Sequence, residues 1–144
     1  MKNKSLISIF LLAILLISGC RAQSGELAIQ NAWARPASNG NNGAAYFTLE
    51  NGTSSEDRLL SVTTEIADAA EVHMSMMHSN GVMSMQMQEE VAIPSGESLE
   101  FKPGGLHVMF IGLNQDLKAG DIIFLTLNFE KAGNLAIEIP VKEQ

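Results

Sequence analysis

Thiols are all but missing from this sequence. Cys20 is the single cysteine among 144 residues, so no disulfide can close within the chain and no thiolate pair is available for a metal or redox centre. Positive charge is also scarce, with 9 Lys and Arg against 16 Asp and Glu for a net charge of −7. A basic patch for nucleic acid is absent, and the acidic balance argues against phosphate partners. No segment keeps a helical period over the roughly 11 residues that the test needs. Missing too are a Ser-His-Asp set, a Gly-rich phosphate loop, a three-His zinc site and a convincing carboxylate pair. The sequence therefore does not read as an enzyme.

The N-terminus stands apart from the rest. Lys2 and Lys4 form a basic start, and Leu6 to Ile17 is an apolar run of 12 residues interrupted only by Ser8. A spanning helix needs about 20 apolar residues, so this run fits a secretory segment instead. Ile17-Ser18-Gly19-Cys20 resembles the end of a bacterial lipoprotein signal, where cleavage precedes a Cys whose thiol carries diacylglycerol. Two acyl chains give stable anchoring where one binds reversibly. The expected division is a signal peptide over 1–19, lipidated Cys20 with a short tether over 20–25, and one domain over 26–144. Arg21 follows the Cys, and by resemblance to the enteric sorting rule the lack of Asp there favours the outer membrane. The plainer alternative is an ordinary signal peptide with Cys20 incidental. Loss of Lys2 and Lys4 with the signal leaves the domain at −9.

The remainder reads as strands. About nine short segments with alternating hydrophobicity are separated by turn signals such as Pro36–Gly43, Asn51-Gly52, Ser95-Gly96 and Pro103-Gly104-Gly105. That pattern means an all-β sandwich or barrel. Leu27, Ile29 and Trp33 are expected to point inward, and a strand over 58–66 alternates Leu60, Val62, Thr64 and Ile66 against Leu59, Ser61 and Thr63. Further along, Ile123, Leu125, Leu127 and Phe129 point inward, and so do Leu135, Ile137, Ile139 and Val141. Leu106 to Ile111 alternates cleanly. His107 and Met109 share one face there, and Leu106, Val108 and Phe110 take the other.

What the chain does have is methionine and histidine in one place. Six of its eight Met and two of its three His lie between Glu71 and Met87, and His107-Val108-Met109 adds the third His and a seventh Met. Thioether sulfur is a soft ligand suited to Cu(I), and imidazole serves several transition metals. The concentration points to a soft-metal site, with copper foremost.

The spacing sharpens this. His73-Met74 is followed after ten residues by Met85, after twenty-one more by His107, and after one by Met109. This H(M)-x10-M-x21-H-x-M pattern resembles the PCuAC family of periplasmic copper chaperones. Asn80-Gly81-Val82-Met83, Phe101-Lys102-Pro103-Gly104-Gly105 and Leu117-Lys118-Ala119-Gly120-Asp121 also look like that family, and the resemblance runs from about Gly25 to Val141. It implies a cupredoxin-like Greek-key sandwich in a monomer that binds Cu(I) through His73, Met85, His107 and Met109. It further implies delivery to the dinuclear copper centre of cytochrome c oxidase subunit II, with a Sco-type copper chaperone as a second partner. Such a set is neutral and grips modestly, as a carrier must. Its imidazoles bind only when deprotonated while its thioethers carry no proton, so affinity is expected to fall with pH.

Strand counting conflicts with one of these residues. If Asn80-Gly81 is a two-residue type I′ hairpin loop, Met76 faces Met85, Met74 faces Met87 and His78 faces Met83. His73 then lies on the wrong face. Either a bulge or a different loop length restores the parity, or Met74 or Met76 takes its role. Met83 and Met87 read as core filler or as sulfur neighbours that pass metal on. His78 reads as a surface residue that could lend a ligand to Cu(II), and Glu89-Glu90 as a solvated strand end. Copper sequestration is an alternative of the same class, and a metal-free adhesion or scaffold module one of another. A blue-copper electron carrier needs a Cys thiolate, which Cys20 does not supply to the domain.

Overall fold

Period-two alternation in this chain folds into two sheets that share one apolar interior. The computed structural model describes residues 25–143, so the signal run and Cys20 lie outside the described residues. Ten strands follow in order: β1 (Leu27–Ala34), β2 (Gly43–Asn51), β3 (Asp57–Thr63), β4 (Ala67–Met77), β5 (Met83–Met87), β6 (Val91–Ile93), β7 (Ser98–Phe101), β8 (Leu106–Leu113), β9 (Ile122–Phe129) and β10 (Gly133–Pro140). The front sheet has six strands in the order β1-β2-β7-β8-β4-β5, and the back sheet four in the order β10-β9-β3-β6. Consecutive strands cross repeatedly between the sheets, which gives an all-β Greek-key sandwich.

The core lies between the sheets. Phe47 of β2 stacks on Phe101 of β7 with ring centroids 4.4 Å apart, and Leu49, Leu59, Ile93, Val108, Phe110, Leu125, Leu127 and Ile139 are buried around them. Ile123, Leu125, Leu127, Phe129, Ile139 and Val141 are buried as their alternation predicts, and Leu135 and Ile137 pack against the same core. In β8, Val108 and Phe110 face inward, which sends His107 and Met109 to the outer face of the front sheet.

Two β-bulges overturn readings made from alternation alone. In β1 the register shifts between Gln30 and Trp33, with Asn31 in the left-handed region at φ 54°. Asn tolerates that conformation better than most residues. The extra residue turns Ala32 and Ala34 inward and carries Trp33 to the outer face, opposite Tyr46. In β3 a shift between Leu59 and Ser61 buries Leu59 with Val62 and leaves Leu60 exposed, so Leu60 does not share a face with Val62 as plain alternation expects.

β2 changes partner part-way along. Gly43–Ala45 pairs with β8 and Phe47–Glu50 pairs with β7, so the switch falls at Tyr46. The four residues Lys102–Gly105 join β7 to β8 at that point, in a turn closed by Gly105 N to Lys102 O at 3.0 Å and Lys102 N to Leu106 O at 2.7 Å.

The back sheet is pinned at its base by Asp57, a buried carboxylate. Its Oδ1 accepts from the backbone N–H of Arg58 at 2.7 Å and of Lys131 at 2.9 Å, and its Oδ2 from that of Ala132 at 2.9 Å. Burial pushes its pKa up, but these three donors and the Lys131 charge outweigh burial and hold it below the ordinary 3.8. A depressed folded-state pKa stabilises the fold above the unfolded value, and that contribution is lost as pH falls through the folded one. Asp57→Asn should cost roughly 1.5–3 kcal/mol at neutral pH, and the deficit should shrink on acidification. Urea unfolding of both proteins at neutral pH and near the carboxylate range would read this; an equal deficit at both would refute it.

Candidate metal centre

The turn between β4 and β5 decides which side chains can meet. His78 N donates to Val82 O at 2.9 Å and Gly81 N to His78 O at 2.9 Å, so the loop is Ser79-Asn80-Gly81. Gly81 sits at φ 79°, where a side chain would be strained. The two-residue loop expected from Asn80-Gly81 is therefore replaced by a three-residue one, because Ser79 joins the loop instead of pairing with Val82. Every pairing shifts by one. His73 now faces Met87, Ser75 faces Met85 and Met77 faces Met83. His73 and Met85 lie on one face, and the parity conflict is gone. Met74 and Met76 fall on the other face, Met74 beside Leu106, and so cannot substitute for His73 there.

Across the next strand the same face continues. His73 of β4 is directly opposite His107 of β8, with ring centroids 6.0 Å apart, and Glu71 is opposite Met109. Met85, His107 and Met109 line one concavity of about 340 Å³ with Arg35, Tyr46, Ser75, Pro103 and Gly104. His73 does not line it; its ring stands beside that of His107, which does. Met87, although opposite His73, lines a separate groove at the sheet edge with Leu59 and Glu71. Met83 and Met87 are 52% and 49% exposed, which rules out the core-filler reading for both. His78 is exposed as expected, with Nε2 at 2.8 Å from Ser84 Oγ.

Hydrogen bonds fix the tautomer of each imidazole. His73 Nε2 lies 2.8 Å from Glu71 Oε2, and a carboxylate only accepts, so Nε2 carries the proton. Nδ1 is left with its lone pair. It is buried and has no partner, the one such side-chain atom among the described residues. Leaving a buried polar atom unpaired costs about 1–3 kcal/mol, a cost that an incoming ligand would remove. His107 Nδ1 lies 3.0 Å from Gly105 O and donates to it, which frees Nε2. A metal-binding imidazole typically donates its other N–H to a carboxylate or backbone carbonyl, and both arrangements are present here.

Sequence reasoning missed the surroundings of these candidate ligands. Glu71 shares the face of His73 two residues away in the same strand, a relation that alternation alone could have exposed. Tyr46 and Trp33, with ring centroids 4.5 Å apart, stand beside the site, Tyr46 6.4 Å from His107. The Arg35 guanidinium lies 5.5 Å from the Tyr46 centroid and 5.9 Å from that of Trp33. Among the described residues no three His, Cys, Asp or Glu side chains gather to hold a metal. The thioethers of Met85 and Met109, which share the concavity with His107, are donors that suit a soft, low-valent ion.

The sequence model of the LpqE-like family, described as "Putative lipoprotein LpqE-like", matches residues 27–141. The chain belongs to that family. It is similar to "Putative lipoprotein Lxx21020" of Leifsonia xyli subsp. xyli, 27% identical over 121 residues that cover 84% of this chain and 72% of that protein. Among solved structures, the copper-bound PCuAC domain from PmoF2 superposes with a TM-score of 0.69 at 23% identity, over 83% of this chain and 95% of the other. The solution structure of CuI-DR1885 from Deinococcus radiodurans gives a TM-score of 0.63 at 28% identity, over 88% and 84%. The PCuAC resemblance read from the motif is borne out, as is the cupredoxin-like sandwich. The lipoprotein description of the LpqE-like family agrees with the lipid-anchored reading of Cys20.

The tautomers are open to direct test. Long-range proton–nitrogen NMR of the metal-free protein at neutral pH should show His73 protonated at Nε2 and His107 at Nδ1. Glu71→Ala should let the His73 proton exchange between both nitrogens while His107 keeps its form. An Nδ1-protonated His73 in the parent protein would overturn the assignment.

Proposed function

We propose that this LpqE-like protein is a copper carrier of the cell envelope, which holds Cu(I) at His73 Nδ1, His107 Nε2 and the thioethers of Met85 and Met109. The observation that carries the reading is the buried, unpartnered Nδ1 of His73, on the same face as two thioethers and a second imidazole whose Nε2 is free. Copper-bound forms of PCuAC domains with this fold support it. Two imidazoles and two thioethers are neutral, so the ion keeps its positive charge, and Glu71 behind His73 offsets part of it. Arg35 works in the opposite sense from across the concavity.

The cargo goes to another protein. By resemblance, the recipient is the dinuclear copper centre of cytochrome c oxidase subunit II, with a Sco-type chaperone taking part. The carrier works as a lipid-anchored monomer facing the periplasm, and Arg21 after Cys20 favours the outer membrane. It binds and releases; it does not catalyse. A second reading, sequestration for copper tolerance, draws on the exposed methionines of β5.

A Cu(I) competition titration against a chromophoric chelator tests the site. His73→Ala, Met85→Ala, His107→Ala and Met109→Ala should each abolish or severely weaken binding of the first equivalent. Glu71→Ala should keep the stoichiometry and lose about 10–100-fold in affinity, because it removes the partner that orients His73. Trp33 is the only Trp of the chain, so its emission should report loading through its ring contact with Tyr46. Unchanged affinity in the four alanine variants would end the proposal. Transfer to an apo dinuclear-copper domain then separates carrier from store, since a store retains its ion.

A further inference from the structure

The β4–β5 hairpin runs past the sheet that carries it. Pairing of β4 with β8 stops at Met74 opposite Leu106, with one further bond from Ser75 N to Gly105 O at 3.1 Å. β5 pairs with β4 alone and forms the sheet edge. Residues 76–84 therefore project as a two-stranded arm. An arm in water should carry polar side chains, yet its face on the His73 side carries Met77 opposite Met83. They are 72% and 52% exposed. Neither fills a gap in the core, which is the usual work of Met in a sandwich.

We infer that Met77 and Met83 form a second, weaker Cu(I) site at the tip of this arm. The inference rests on the copper reading above and extends it to a second ion. Met77 and Met83 lie one step from the hydrogen-bonded His78–Val82 pair, so they are a non-hydrogen-bonded pair with Cα atoms about 4.5 Å apart. At that spacing two flexible thioethers can reach one ion between them, and two neutral sulfurs suit Cu(I) over harder ions. Met85 is the third sulfur. It follows Met83 by two residues, about 6.8 Å along the strand, on the same face. It also lines the concavity of His107 and Met109. Met85 is thus within reach of both sites, and copper taken up at the tip passes inward through it without returning to water. The opposite face of the arm offers no equivalent pair, because Met76 faces Ser84, whose hydroxyl is bonded to His78.

The test is an anaerobic Cu(I) titration of the full chain in detergent micelles, with X-ray absorption at one and two equivalents. The parent protein should take two equivalents, the first with mixed nitrogen and sulfur neighbours and the second adding sulfur only. Met77→Leu with Met83→Leu should lose the second equivalent while the first keeps its affinity within about two-fold, because neither residue is among the four ligands proposed for the first ion and Met85 is left in place. Retention of the first equivalent also shows that the variant is folded. Met76→Leu, on the opposite face, should change nothing. A parent protein that binds one equivalent, or a double variant that still binds two, overturns the tip site and leaves the carrier reading standing. A parent protein that binds no Cu(I) overturns both.

Discussion

The pairing of His73 with His107 across β4 and β8 is the constraint on which the site depends. Each residue is one step from a core valine, Val72 and Val108, so the period of two that buries the valines fixes both imidazoles on the outer face. A slip of one residue would exchange the two sets and put two imidazoles into the apolar core. Core packing therefore enforces the site's register far more strongly than metal binding could. The other two proposed ligands are added to that pair by the edges of the same arrangement. Met109 follows two residues along β8, and Met85 comes from β5 by way of the loop at Gly81.

Much of this was legible in the sequence, because alternation is a local property and most strands here are regular. The faces of β8, β9 and β10 could be read directly, and the ligand spacing could be read without any structure. Three things could not. Whether Ser79 belongs to the loop or to the strand is a choice between neighbouring turn types that both accept Asn80-Gly81, and it decides the face of His73. The bulges at Asn31 and next to Leu59 each change parity, and each depends on the partner strand. The change of partner at Tyr46 is a fact of topology, invisible to any window of sequence. It leaves the gap that Lys102–Gly105 fills, and that turn supplies both the Gly105 carbonyl that orients His107 and the Pro103-Gly104 wall of the concavity.

Burial is distributed unequally over the four proposed ligands, and the inequality bears on how an ion would leave. His107 is buried, and the Nδ1 of His73 is shielded from solvent. Met85 is 61% exposed on an edge strand held to the sheet by β4 alone. The imidazoles are also held by hydrogen bonds to Glu71 and Gly105, whereas a thioether has no comparable tether. A metal in this site would be gripped on one side by fixed nitrogens and on the other by a mobile sulfur. In the proposed carrier, exchange with an acceptor would begin at Met85, where replacing one weak ligand would disturb neither the core nor the tautomers behind it. An incoming thiolate needs only to take the place of that sulfur, and the softer, charged ligand makes the step downhill. The same asymmetry would let a carrier of the proposed kind dispense with cysteine: a thiolate in the Met85 position would hold the ion against any acceptor.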